Sequence, residues 1–120
     1  MRYLMTTKAT DEAPDEKLYA EMGKFIEETT AAGVLLATGG LEPSGVRVTS
    51  RGDEITVMDG PFAEAKEIIG GYAQFELKSK EEDVDSAVRF MELHRKYWPG
   101  WEGETEVRLM YEPGEFPLSK

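Results

Sequence analysis

The sequence predicts an α+β domain on a ferredoxin-like split βαβ plan with an inserted β-hairpin, and three observations carry that prediction. Element signals run strand, helix, strand, hairpin, strand, helix, strand. Two stretches repeat apolar residues at helical spacing, and each is flanked by segments that alternate at strand spacing. Between them, two short alternating runs surround Arg51-Gly52-Asp53, the pattern of a hairpin turn. Two helices between antiparallel-capable strands pack together on one face of a single sheet.

Met1 to Lys8 forms the first strand. Pro14 suits a first helical position, and Asp15 and Glu16 suit the positive end of the helix dipole. Leu18, Met22, Phe25, Ile26 and Thr29 then make one apolar helix face, with Gly33 as its stop. Val34 to Thr38 is a short buried strand ended by Gly39-Gly40. In the hairpin, Val46 and Val48 alternate with Arg47 and Thr49, and Ile55 and Val57 with Thr56 and Met58. Asp59 to Tyr72 combines a turn, an aromatic, many charges and Gly70-Gly71, and is expected as a structured loop with one helical turn in Ala63–Ile69.

Tyr72 to Leu77 is a strand with Ala73, Phe75 and Leu77 on one face and Tyr72, Gln74 and Glu76 on the other. Ser79-Lys80-Glu81-Glu82 fits a capping box, so a helix begins there. Its core stripe is expected to be Val84, Ala87, Val88 and Met91, with Phe90, Leu93 and Tyr97 as a second stripe roughly opposite. Glu104 to Tyr111 is the last strand. Residues 1–112 form one domain, and 113–120 an exposed C-terminal arm.

The chain of 120 residues folds to roughly 6,500 Å² of surface, enough for a core without staples. It has no cysteine, which excludes disulfides and thiolate chemistry, and its single histidine removes multi-histidine metal motifs. No metal and no cofactor is expected. Fourteen basic against twenty-four acidic side chains give a net charge of -10. That balance repels nucleic acid, whose binding rests on Lys and Arg neutralising phosphates. No apolar run approaches the about 20 residues that span a bilayer, so the expected location is the cytoplasm. The sheet face carrying Tyr72, Gln74, Glu76 and Arg108 needs a cover, as does the second stripe of the last helix. A homodimer answers both needs.

Asp59-Gly60-Pro61-Phe62 is followed by Glu64, Lys66 and Glu67, then Gly70-Gly71-Tyr72, the Ser79–Glu82 helix start, and Gly103-Glu104-x-Glu106-Val107-Arg108. On these residues, spread over nearly the whole chain, the sequence resembles the YCII-related family, in the branch named for the Asp-Gly-Pro-Phe motif. The resemblance implies a dimeric α+β barrel in which two ferredoxin-like sheets face each other. That fold group includes isomerases and monooxygenases of small molecules. Some relatives are associated with sigma factors of the extracytoplasmic-function type, which implies a regulatory setting and a sigma-factor partner. Another branch carries a candidate catalytic histidine near the position of Met22. Methionine cannot shuttle protons, so that chemistry does not transfer.

The functional expectation is a homodimer that binds a small polar metabolite in a cleft between the sheets. Acid/base chemistry without a cofactor is the reaction type these residues allow, with Asp59 and His94 as the proton-transfer candidates. Phe62, Lys66, Tyr72, Glu76 and Arg108 are the candidate binding residues. Each has a plainer structural role as well: Asp59 shaping a turn, His94 filling the core edge, and Lys66 pairing with its acidic neighbours. Phe62 and Tyr72 would then be core, and Glu76 and Arg108 a cross-strand pair. The alternative function is a non-catalytic regulatory or interaction module whose acidic surface meets a basic partner.

Overall fold

The computed structural model describes residues 1–8, 15–42, 44–60 and 69–115. Its elements are β1 (Arg2–Lys8), α1 (Glu16–Ala31), β2 (Leu35–Gly40), β3 (Val46–Arg51), β4 (Glu54–Asp59), β5 (Ile69–Glu76), α2 (Lys80–Tyr97) and β6 (Thr105–Leu109). The strands form a four-stranded sheet in the order β2-β5-β1-β6 and a separate ribbon of β3 and β4. All neighbours are antiparallel. This is the ferredoxin-like plan with its hairpin inserted between two adjacent strands. Pro14, all but the last residue of the helical turn expected in Ala63–Ile69, and the arm beyond Glu115 lie outside the described residues, and Ile69 begins β5.

Register decides the two faces of the sheet, because directly opposed residues share a side. Tyr3 stands opposite Phe75 and Leu109, and Met5 opposite Ala73 and Val107. Tyr3, Met5, Leu35, Ala73, Phe75 and Leu77 make the buried core, with Ile26, Ala87 and Phe90 packed against it from the helices. The other face carries Arg2, Leu4 and Thr6 on β1, between Glu76, Gln74 and Tyr72 on β5 and Arg108 and Glu106 on β6.

The first helix follows its sequence pattern closely. Leu18, Phe25 and Thr29 are buried, and the Thr29 hydroxyl donates to the Phe25 carbonyl at 2.7 Å. Asp15 stands just outside the helix as its N-cap, where Oδ1 accepts from the Leu18 amide at 3.0 Å. Gly33, at φ 74, ends the turn that follows in a backbone conformation open chiefly to glycine.

The second helix begins as expected. Ser79 Oγ accepts from the Glu82 amide at 3.2 Å, while Glu82 Oε2 reaches back to the Lys78 amide at 2.9 Å. Ser79→Ala is expected to destabilise the domain by about 1 kcal/mol, measurable in urea, with an unchanged slope against denaturant.

The buried face of α2 differs from the predicted stripe. Val84 and Val88 are 40% and 47% exposed, whereas Asp83 and His94 are buried and Phe90 packs on the core. At 3.6 residues per turn, Asp83, Ala87, Phe90 and His94 form one line between the two apolar stripes seen in the sequence. A helix carrying two flanking stripes buries the line between them, because that orientation brings Ala87 and Phe90 to the core together. The Thr105 hydroxyl donates to Met91 Sδ at 3.2 Å on the β6 side.

A second difference concerns Gly70-Gly71, expected to end a loop. Both residues belong to β5, where Gly71 pairs with Gly40 and Tyr72 with Gly39. A side chain at Gly71 would meet the Gly39 carbonyl at 3.4 Å, and one at Gly39 the Tyr72 ring at 3.1 Å. The glycines on the two strands therefore let backbone and ring approach each other, rather than break the strand.

Candidate functional site

A cavity of about 660 Å³ lies between the helix layer and the sheet of a single chain. Its floor is Met5, Leu35, Ala73 and Phe75, the same side chains that form the core. Met22, Gly23 and Ile26 of α1 face it from one side, and Phe90 and His94 of α2 from the other. Gly23 has open space where a side chain would be, which widens this wall. Trp98 and Trp101 also border it, as do Gly39, Gly40, Gly70 and Gly71. The volume falls within the roughly 300–1,000 Å³ of small-molecule sites, and the walls are largely apolar, as such sites are.

His94 supplies the main polar function. Its Nδ1 lies 2.9 Å from the Phe90 carbonyl oxygen. A carbonyl only accepts, so Nδ1 carries the proton and Nε2 is the free nitrogen of the neutral ring. The imidazole sits between two aromatic rings, with centroids 4.5 Å from Phe90 and 4.6 Å from Trp101. Burial pushes its pKa below the ordinary 6.5, a shift only partly opposed by the Phe90 carbonyl. The helix C-terminus, where a charged imidazole is favoured, is thus outweighed by desolvation.

Trp101 stacks on this imidazole and carries a second polar atom. Its indole Nε1 is buried with no hydrogen-bond partner. The loop that delivers it turns at Gly100, at φ 81, and is closed by a 3.0 Å bond from the Trp101 amide to the Trp98 carbonyl. A Cβ at Gly103 would run into the Trp101 ring. The ring over His94 therefore depends on glycine at 103.

A folded pKa below the unfolded one means that the folded state binds fewer protons in the window between them. Stability from His94 is then complete above the ordinary value and is lost as pH falls through it. His94→Gln is accordingly expected to flatten the loss of stability between pH 7 and pH 5, as read by melting temperature. The substitution removes the titrating group while keeping polar shape.

Of the other residues singled out in the sequence, Tyr72 borders the cavity, and the other described ones do not. Asp59 ends β4 on the hairpin ribbon, is exposed, and does not border the cavity. Phe62 and Lys66 lie outside the described residues. Tyr72 is half-buried and among the residues bordering the cavity near the glycines. Glu76 and Arg108 are exposed on the sheet face that points away from the helices. They are not cross-strand neighbours, because β1 lies between their strands: Glu76 faces Arg2, and Arg108 faces Leu4. Glu76 instead pairs with the N-terminal ammonium at 3.6 Å. The cavity is thus on the opposite side of the sheet from the polar face on which the sequence placed a cleft.

The sequence singles out His94 as the only imidazole but does not single out Trp101. The signal that could have raised it is the pair of tryptophans around Pro99-Gly100, close after a helix whose last turn carries the histidine. Among the described residues, no group of three His, Cys, Asp or Glu could hold a metal ion, and no helix is long and apolar enough to cross a membrane.

A solved 5-chloro-2-hydroxyhydroquinone dehydrochlorinase from Burkholderia phenoliruptrix AC1100, in complex with 2,5-dihydroxybenzoquinone, is similar over 97% of this chain and all of its own. The identity is 16% and the TM-score 0.46, too distant for function to be carried across. An uncharacterised protein of Rhizobium meliloti (strain 1021) is 31% identical, with 92% of this chain and 89% of that protein covered. The model of the YCII-related domain matches residues 1–97. That match takes in most of the sequence, and the chain belongs to the YCII-related domain family.

Proposed function

We propose that this protein binds a small molecule in the cavity between its helices and its sheet, and that His94 exchanges a proton with it. The observation that carries this reading is one buried imidazole, its Nδ1 committed to the Phe90 carbonyl, on the wall of a 660 Å³ cavity. Burial holds that ring neutral, so Nε2 is an acceptor at neutral pH. The unpartnered Trp101 Nε1–H supplies a donor beside it. The fitting ligand has a flat or compact apolar body, a hydroxyl that donates to Nε2, and an oxygen that accepts from the indole. Transfer of the hydroxyl proton to Nε2 leaves an imidazolium and a ligand oxyanion, and the indole N–H stabilises the latter. This ligand is less polar than the one expected from the sheet's polar face, because Phe25, Phe75 and Phe90 dominate the walls. The protein acts as a homodimer in this reading, supported by a sheet face that the described residues leave without a layer over it.

A thermal-shift screen over a metabolite library tests the binding claim, with Met22→Trp as the variant that fills the cavity. A ligand at about 100 times its Kd stabilises by roughly 2.7 kcal/mol. Hits that raise the melting temperature of the native protein and not of Met22→Trp support the reading. Hits that stabilise both equally place the site elsewhere. An empty screen, with salt-sensitive capture of a basic protein, favours the regulatory module instead.

A further inference from the structure

On the helix-facing side of the sheet, side chains shrink in the same direction along three neighbouring strands. Along β5 they run Phe75, Ala73, Gly71. Opposite them stand Tyr3, Met5 and Thr7 on β1, and Leu35, Thr38 and Gly40 on β2. The small ends of the three rows, Thr7, Gly71 and Gly40, all border the cavity. The last turns of α2 stand at this end of the sheet. Thr105 lies opposite Thr7, its hydroxyl donates to Met91 Sδ at 3.2 Å, and His94 follows Met91 by about one helical turn.

Three of the four glycines here have a structural reason. Gly70 is the extra residue of a bulge, since Thr7 pairs with Gly71 and Lys8 with Ile69. A side chain at Gly39 would meet the Tyr72 ring at 3.1 Å, and one at Gly71 the Gly39 carbonyl at 3.4 Å. Gly40 has no such reason. Among the described residues, a Cβ there meets nothing closer than the Gly70 carbonyl at 3.8 Å, an ordinary contact, and its φ is not positive. Glycine weakens a strand, so one that the backbone does not need marks a place that a ligand or another backbone approaches. His94 favours the ligand, because it is 7% exposed on the wall of the same cavity with Nε2 uncommitted.

Volume gives that ligand a size. An apolar cavity of about 150 Å³ already holds a benzene ring, and this one is about 660 Å³. A single ring beside His94 leaves most of it unfilled. We infer that the ligand is planar and larger than one ring, that its far end lies on the bare backbone of Gly40 and Gly71, and that these two glycines set the size the cavity admits. The inference rests on the proposed binding site and adds to it the extent of the ligand and the residues that select it.

Phenol and 2-naphthol, followed by saturable shifts of the His94 ring in proton NMR, test this on the native protein and on Gly40→Val. The native protein is expected to bind 2-naphthol about tenfold more tightly than phenol, the gain from burying roughly 60 Å² more of apolar surface. Gly40→Val is expected to lose that advantage while its affinity for phenol stays within about twofold of native. Gly40→Ala, which adds one methyl where there is room for it, shows a smaller loss of the same pattern and carries the test if the valine variant does not fold. Equal losses for both probes, or no loss for 2-naphthol, overturn the inference. A ligand-free Gly40→Ala that melts below the native protein overturns it too, since the glycine then makes room for the chain itself. A native protein in which neither probe moves the His94 signals removes the binding site, and the proposed function with it.

Discussion

Phe75→Ala is expected to remove about 3–5 kcal/mol of stability, the usual range for emptying a buried phenylalanine site. Phe75 is fully buried in β5, opposite Tyr3 on one side and Leu35 on the other. It is also the floor of the cavity. Truncation would enlarge this cavity, and the cost grows with the empty volume left behind. The loss falls at the upper end of the range and takes a third or more of a typical domain stability of about 5–15 kcal/mol. Equilibrium unfolding in urea measures it. A loss under 1 kcal/mol would mean that the helix layer closes over the site.

Asp83→Asn is expected to act in the other direction and stabilise the protein at neutral pH, because the amide has no charge to desolvate. Asp83 is 1% exposed in the first turn of α2, and its Oδ1 is buried without a hydrogen-bond partner. Burial pushes its carboxyl pKa up. The positive end of the helix favours a carboxylate there by about 0.3–1 kcal/mol, which is smaller than the desolvation it opposes. A raised folded pKa means the folded state keeps its proton where the unfolded chain has lost it. Stability from Asp83 is therefore complete below the ordinary carboxyl range and is lost as pH rises through the folded value. The gain from Asp83→Asn should accordingly be small at pH 3.5 and grow toward pH 7. Melting temperatures at the two pH values check this. An equal effect at both would show that Asp83 does not carry a buried charge.

Asp83 and His94 also show where the sequence stops being readable. The element order, the Gly52 turn of the hairpin, the α1 face and the Ser79 cap all rest on short-range rules and are plain in the residues. The buried face of α2 is not, since two of its four central positions are ionisable and hydrophobic periodicity does not mark them. The valines beside them are better core residues by composition, yet they face outward. The side of the sheet that holds the cavity is equally hidden. It depends on how far Met22 and Gly23 stand from Phe75, a distance set by tertiary packing. His94 was legible as the only imidazole. Its partner Trp101 was not, because their stacking depends on a loop closure that no local pattern records. Asp59 stands out in the sequence, yet it belongs to the ribbon rather than to the cavity.

The single histidine makes one measurement especially direct. A proton NMR titration follows the His94 ring in the native protein, alone and with phenol added as a probe of aromatic hydroxyl ligands. The account predicts an imidazole that titrates below 6.5 and ring signals that shift saturably as phenol enters beside Phe90 and Trp101. A ring that titrates at or above that value, and that phenol leaves unmoved, would contradict the account of a buried proton acceptor on the wall of a ligand site.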